Sequence, residues 1–162
     1  MGRMEKLLRL LQRGGRQTDE SLARECGLSA EEVAEKVTQW EADGVIRGYK
    51  GVIDETSLPD RMIKALIEVK IKPEAGGGYD RLANRIAKFD QVISCSLFSG
   101  QYDLLLEVEV KDSLAVATFV FDTLSKIDGV ISTQTHFPLK TYKLDGICLE
   151  DEEDSERLPV TP

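Results

Sequence analysis

The chain has 162 residues, 41% of them hydrophobic and 31% charged, with 21 basic against 29 acidic side chains and a formal net charge of −8. That length holds one domain or two small ones in an ordinary soluble composition, and it excludes the global basic field that advertises nucleic acid. No signal peptide and no bilayer-spanning apolar run are evident, so a cytoplasmic protein is expected. Cys26, Cys95 and Cys148 lie far apart with no C-x-x-C pair, and His136 is the only histidine. Neither a disulfide framework nor a metal or cofactor site is therefore expected, and Cys26 and Cys95 read as core residues. Charge is unevenly spread: residues 1–53 carry nine basic and nine acidic groups, 54–149 eleven and fourteen, and the last thirteen one and six.

Met4, Leu7, Leu8 and Leu11 predict a first helix, stopped by Gly14-Gly15. A short second helix is predicted from Asp19 to Cys26, with Thr18 as N-cap and Gly27 as stop. Small Ala23 suits the place where two helices cross. Ser29, with Glu32 three residues on, is a capping box that launches a third helix to Ala42, closed by Asp43-Gly44. Val33, Val37 and Trp40 give it one apolar face. This is the pattern of a helix-turn-helix, whose second helix reads the DNA major groove. The β-type run Val45–Ile53, broken by Gly48 and Gly51, reads as a wing or a strand leading away. Asp54–Asp60, with Pro59, reads as a linker.

The rhythm then changes. Ile63, Ala65, Ile67, Val69 and Ile71 alternate with more polar residues, as in a half-buried strand. Gly76-Gly77-Gly78 makes a loop, and Leu82, Ala83, Ile86 and Phe89 define a helix. Val92–Phe98 is a strand, Ser99-Gly100-Gln101 a tight turn, and Leu104, Leu106, Val108 and Val110 a further strand. Asp112 caps a helix running through Leu114, Phe119, Val120, Leu124 and Ile127 to Asp128-Gly129, and Val130–Tyr142 is extended. The order β-α-β-β-α-β is the ferredoxin-like arrangement. The expected class is α+β: a winged helix-turn-helix (1–53), a linker (54–60), a ferredoxin-like domain (61–145) and an acidic tail (146–162). Residues 150–162 hold too few apolar groups to build an element; Leu158 and Val160 could dock on a neighbouring subunit.

This architecture resembles the Lrp/AsnC, or feast/famine, transcriptional regulators. The resemblance is carried by Leu28-Ser29-x-x-x-Val33, by Glu41-x-x-Gly44-Val45-Ile46-x-Gly48-Tyr49, by Ser99-Gly100-Gln101-Tyr102-Asp103-Leu104-Leu105, and by Gly129-Val130-x-Ser132-Thr133-x-Thr135-His136-Phe137 with Lys140 and Lys143. It implies a DNA-binding regulator, not an enzyme, built from homodimers that assemble to octamers or larger discs. It also implies a small effector, usually an amino acid, bound at interfaces between dimers.

On the third helix, Ala30, Ala34, Glu35, Lys36, Thr38 and Gln39 are expected to face outward, with Ser29 at its start. Thr38 and Gln39 suit base edges, and Glu35 suits a cytosine amino group. Lys36 stands where the family commonly has arginine. Between Ser29 and Asp43 the chain sets Glu31, Glu32, Glu35, Glu41 and Asp43 against Lys36 alone. Phosphate contacts would fall to Arg16, Arg47 and Lys50 and to the basic face Arg3, Lys6, Arg9 and Arg13; the plain alternative is a solvated helix face.

In the second half, Gly100, Tyr102 and Asp103 match family positions at the ligand interface. Asp103 suits an effector's ammonium group, with the Thr133 and Thr135 hydroxyls for its carboxylate. The alternative is that Asp103 simply caps a hairpin. His136 reads as structural, and Glu107 and Glu109 as solvated or interface charges, so no catalytic residue is expected. Two other readings compete: an oligomeric effector sensor that acts through protein partners, favoured by the acidic third helix and tail, and an enzyme. Siroheme decarboxylases share this domain pair, but they want more histidines than one.

Overall fold

A computed structural model describes residues 2–73 and 78–149, apart from the Thr56 side chain; the expected acidic run 150–162 and most of the glycine loop lie outside the described residues. The described residues form two compact units, 2–54 together with 142–149, and Glu55–Thr141.

In the first unit, α1 (Arg3–Gly14), α2 (Asp19–Cys26) and α3 (Ala30–Ala42) stand where the sequence patterns put them. Thr18 Oγ1 accepts the Ser21 amide, and Gly27 ends α2 in the left-handed region at φ 66°, so that the Leu28 amide reaches the Ala23 carbonyl at 3.0 Å. Only glycine takes that conformation at little cost. The capping box is reciprocal: Glu32 N donates to Ser29 Oγ at 3.1 Å, and Ser29 N donates to Glu32 Oε2 at 2.8 Å. Leu7, Leu11, Leu22, Ala23, Cys26, Val33 and Val37 form the core, with Trp40 half-buried against it. Ser29→Ala leaves the Glu32 amide without its cap. We expect a loss of about 1 kcal/mol, measured by urea denaturation.

The wing expected over Val45–Ile53 does not form a strand. A strand needs a ladder, and this segment has no partner strand among the described residues; Val45 and Ile53 remain exposed. It is tied back to α3 by Tyr49, whose hydroxyl donates to Glu41 Oε1 at 2.7 Å. Desolvation, then the Glu41 carboxylate, raise the Tyr49 pKa.

The second unit is an antiparallel four-stranded sheet in the order β2-β3-β1-β4, built from β1 (Ile63–Ile71), β2 (Val92–Leu97), β3 (Leu104–Val110) and β4 (Val130–His136), with α4 (Asp80–Ile86) and α5 (Ser113–Thr118) as crossovers. This is the expected β-α-β-β-α-β order. Ala65, Ile67 and Val69 of β1 lie opposite Val108, Leu106 and Leu104 of β3, all buried with Ile71, Leu82, Ile86, Val116, Phe119, Leu124 and Ile127. Each of these side chains larger than alanine contributes roughly 1.5–3 kcal/mol of burial. Phe89 and Phe119 meet edge to face, centroids 5.6 Å apart. The other sheet face carries Lys64, Leu66, Glu68 and Lys70 with Glu107, Glu109 and His136. Lys64 pairs with Glu55 and, at 3.9 Å, with Glu109; the Glu55 carboxylate raises the Lys64 pKa. His136 Nε2 lies 3.3 Å from Glu68 Oε1.

Three expectations change here. The helix that Asp112 caps (Ala115 N to Asp112 Oδ1, 2.7 Å) gives way after Thr118 to a π-type turn, Phe119–Thr123, and a 3-10 turn, Leu124–Lys126. Leu114 is 73% exposed, because helical spacing back from Val116 and Phe119 reaches Asp112 and Ser113, not Leu114. β4 stops at His136 instead of running to Tyr142, since Pro138 has no amide to donate to a ladder. And residues 143–148, part of them expected to be tail, form a small hairpin of β5 (Lys143–Leu144) and β6 (Ile147–Cys148). Its Asp145-Gly146 turn has both residues at positive φ, 48° and 88°.

Candidate nucleic-acid interface and effector turn

On α3, Glu31, Glu35, Thr38 and Gln39 are exposed, and Ala30, Ala34 and Lys36 half-buried. Their availability differs. Gln39 Nε2 donates to Asp43 Oδ2 at 2.9 Å, which leaves its carbonyl oxygen free to accept. The Lys36 ammonium lies over the Trp40 ring, 5.4 Å from its centroid, drawn in by the ring's negative face. Ser29 Oγ accepts the Glu32 amide, and its hydroxyl is engaged by the Glu31 carboxylate. The Glu31 carboxyl is held below its ordinary pKa by backbone amides at the helix start and by Ser29, as the helix dipole favours. The outward face of α3 therefore presents short polar groups and carboxylates, with its single base folded onto an aromatic ring.

The exposed cations of this unit lie on other segments. Arg47 and Lys50 are exposed on the segment after α3, and Arg9 and Arg13 on α1. Arg16 is engaged by Asp19 at 2.8 Å. Arg3 donates to the Gly27 carbonyl at 3.1 Å and Lys6 to that of Glu25, so both brace the turn between α2 and α3. Sequence reading treated them only as a charged face; nothing in spacing alone tells a brace from a solvated lysine.

In the sheet unit, Gly100 takes φ 145° and Phe98 N donates to the Asp103 carbonyl at 2.9 Å, closing the turn between β2 and β3. Tyr102 leans on Phe98, centroids 5.6 Å apart at 48°. Asp103 is heavily engaged. Its amide donates to the Val69 carbonyl at 3.1 Å, and its Oδ2 accepts the Ile71 amide at 2.8 Å. Its Oδ1 stands 3.6 Å from Lys70 Nζ, which also donates to the Gln101 carbonyl at 3.1 Å. The carboxylate thus fills the irregularity in β1 at Lys70/Ile71, where the ladder to β4 shifts register. Lys70 escaped the sequence reading, although the period-two alternation placed it on the face opposite the β1 core residues.

Thr133 and Thr135 do not join this group within one chain. They lie opposite Val69 and Ile67, both fully buried, and so share the helix-covered face. Lys70, beside Asp103, belongs to the other face. Two surface cavities, of ≈ 250 Å³ and ≈ 360 Å³, are lined by other residues. Among the described residues no cluster of three or more His, Cys, Asp or Glu could hold a metal, and no helix is long and apolar enough to cross a membrane.

Residues 64–147 match the Lrp/AsnC ligand-binding domain. The chain is 37% identical to YugG of Bacillus subtilis (strain 168), an uncharacterised HTH-type transcriptional regulator, over 97% of this chain and 95% of that one. It is 34% identical to the Bkd operon transcriptional regulator of Pseudomonas aeruginosa, covering 86% and 90%. A transcriptional regulator of Neisseria meningitidis, solved in complex with L-methionine, superposes with a TM-score of 0.64 at 30% identity, covering 86% of this chain and 89% of that one. With the helix-turn-helix, the ferredoxin-like sheet and these relatives in agreement, the chain belongs to the Lrp/AsnC family of HTH-type transcriptional regulators.

Proposed function

We propose that this regulator is a cytoplasmic homo-oligomer, dimers assembling to an octamer or larger, that binds operators with α3 and changes state when an amino acid meets the Gly100–Asp103 turn. The observation that carries the reading is the pairing of an exposed, capped third helix with a turn whose Asp103 and Lys70 offer one negative and one positive group side by side. Such a pair suits a zwitterion: Asp103 for the ammonium, Lys70 for the carboxylate, Gly100 for close approach, Tyr102 for the side chain. Thr133 and Thr135 would act from the other face of the edge strand β4, on a ligand shared with a second copy. The L-methionine held by the Neisseria regulator makes an amino acid the natural first effector to try.

For DNA, Ser29, Ala30, Ala34, Glu35, Thr38 and Gln39 are the groove-facing set, with Lys36, Arg16, Arg47 and Lys50 flanking. A single copy supplies few free cations, so affinity would come from several copies engaging one duplex. The test is retention of sheared DNA from the source organism by the full chain at moderate salt, with and without an amino-acid pool, followed by sequencing. We expect a few loci that share a short pseudo-palindrome, shifted by the pool. Each phosphate contact adds about −0.9 to the slope of log K against log salt, so a dimer should give about −4 to −6. No enrichment in either condition would overturn DNA reading and favour action through protein partners, which the carboxylates on α3 would then explain.

A further inference from the structure

We propose that the acidic segment 150–162 docks on the helix-turn-helix unit of its own chain and competes there with DNA; the competition, though not the docking, rests on the DNA-binding reading above. Two features of the unit ask for such an occupant. The first is a set of cations without ion-pair partners, in a stretch (1–53) that is neutral overall. Arg9, Arg13, Arg47 and Lys50 are exposed, and with Arg3 and Lys6 they have no carboxylate partner among the described residues. Arg3 and Lys6 donate to backbone carbonyls and Arg9 to the Gln12 amide oxygen, whereas Arg16 pairs with Asp19.

The second is a surface cavity of mixed lining, with Arg47 among its walls. It has a volume of ≈ 250 Å³, lined by Leu8, Leu11, Val45 and Ile46 together with Gln12, Arg47, Gly48 and Tyr49. Val45 is 53% exposed there. Drug-sized ligands use cavities from about 300 Å³ upward, whereas this one suits one or two aliphatic side chains.

The segment matches both features. Glu150, Asp151, Glu152, Glu153, Asp154 and Glu156 against Arg157 give it a net charge of −5, followed by Leu158-Pro159-Val160. Its carboxylates suit the exposed Arg9, Arg13, Arg47 and Lys50, and its aliphatic residues suit the Leu8, Leu11, Val45 and Ile46 walls of the cavity. Attachment favours it too, because residues 142–149 belong to the same compact unit as the helix-turn-helix. From Leu149, thirteen residues at up to about 3.5 Å each span about 45 Å. That exceeds the width of a unit whose radius of gyration is about 10 Å. A short tether also holds the segment at an effective concentration near ~1 mM, so weak contacts suffice.

The docked segment lowers apparent DNA affinity most at low salt, where its own ion pairs are strongest. Its removal therefore raises affinity and steepens the salt dependence. The test compares the full chain with a variant ending at Leu149 and with the double variant Leu158→Ser/Val160→Ser, which keeps every charge. Two readouts are taken: backbone hydrogen exchange, and binding to a nonspecific duplex between 50 and 200 mM salt. We expect exchange over residues 6–13 and 45–49 to quicken in both variants and to slow again when a synthetic peptide of residues 150–162 is added. Affinity should rise about tenfold at 50 mM in the truncated chain, the equivalent of roughly one phosphate contact, and part of the way in the double variant. Unchanged exchange in the truncated chain would overturn docking whatever DNA does. Faster exchange with no DNA binding by any variant would keep the docking and remove the DNA reading. A gain in affinity by truncation alone, with the double variant like the full chain in both readouts, would overturn docking in favour of simple charge repulsion.

Discussion

Asp103→Ala should cost both stability and effector binding, and Asp103→Asn should separate the two. In the native turn the carboxylate accepts the Ile71 amide at 2.8 Å and stands 3.6 Å from the Lys70 ammonium. Alanine strands that amide at a half-buried site and leaves Lys70 without its counter-charge, a loss of about 1–3 kcal/mol. Asparagine keeps an oxygen that can accept from Ile71, so most of the stability returns. It restores no negative charge for an ammonium group. A charged hydrogen bond is worth about 1.5–3 kcal/mol, so effector affinity should fall by about 10- to 100-fold in both variants. Denaturant unfolding and calorimetry with an amino-acid panel give the two numbers. If Asp103→Asn binds the effector as the native chain does, Asp103 is only a turn lock, and the ammonium assignment is wrong.

That prediction differs from what the sequence alone implies, and the difference is instructive. Spacing placed Asp103 at the mouth of a turn, and both a ligand role and a capping role were open there. The bond to Ile71 spans 32 residues of chain and depends on the register of β1 against β3, which no local pattern encodes. Thr133 and Thr135 show the same limit. Their hydroxyls and the Gly100 turn look like neighbours in a list of family motifs, but strand alternation turns them to the helix-covered face. Local chemistry was readable where it is complete within a few residues: the Ser29–Glu32 box, the Thr18 cap, the left-handed Gly27 and the alternation of β1 and β3. Elements that depend on a distant partner were not. Val45–Ile53 has strand composition without a partner strand, and β4 ends where Pro138 breaks its ladder. The Asp145-Gly146 hairpin, by contrast, had a strong two-residue signal that went unread because acidic residues follow it closely.

Glu35 is the place where the acidity of α3 becomes a measurable question. It is exposed on the outward face, one helical turn before Gln39 and one after Glu31, with Lys36 beside it folded onto Trp40. Against phosphates a carboxylate repels; against a cytosine amino group it accepts a hydrogen bond and reports sequence. Glu35→Ala distinguishes these. If Glu35 reads a base, affinity for the selected operator falls, and discrimination at one position relaxes by about 1–3 kcal/mol. Binding to random duplex meanwhile rises, because a like charge has left the interface. If Glu35 only repels, both affinities rise together and the base preferences stay as they were. We expect the first outcome, since a regulator that kept Glu31 and Glu35 on its reading helix purely as repulsion would need every contact from its flanks. Competition binding with a library randomised over each half-site measures both quantities in one experiment. A uniform gain across all sequences would remove Glu35 from the reading set and leave Thr38 and the free carbonyl of Gln39 as the base contacts.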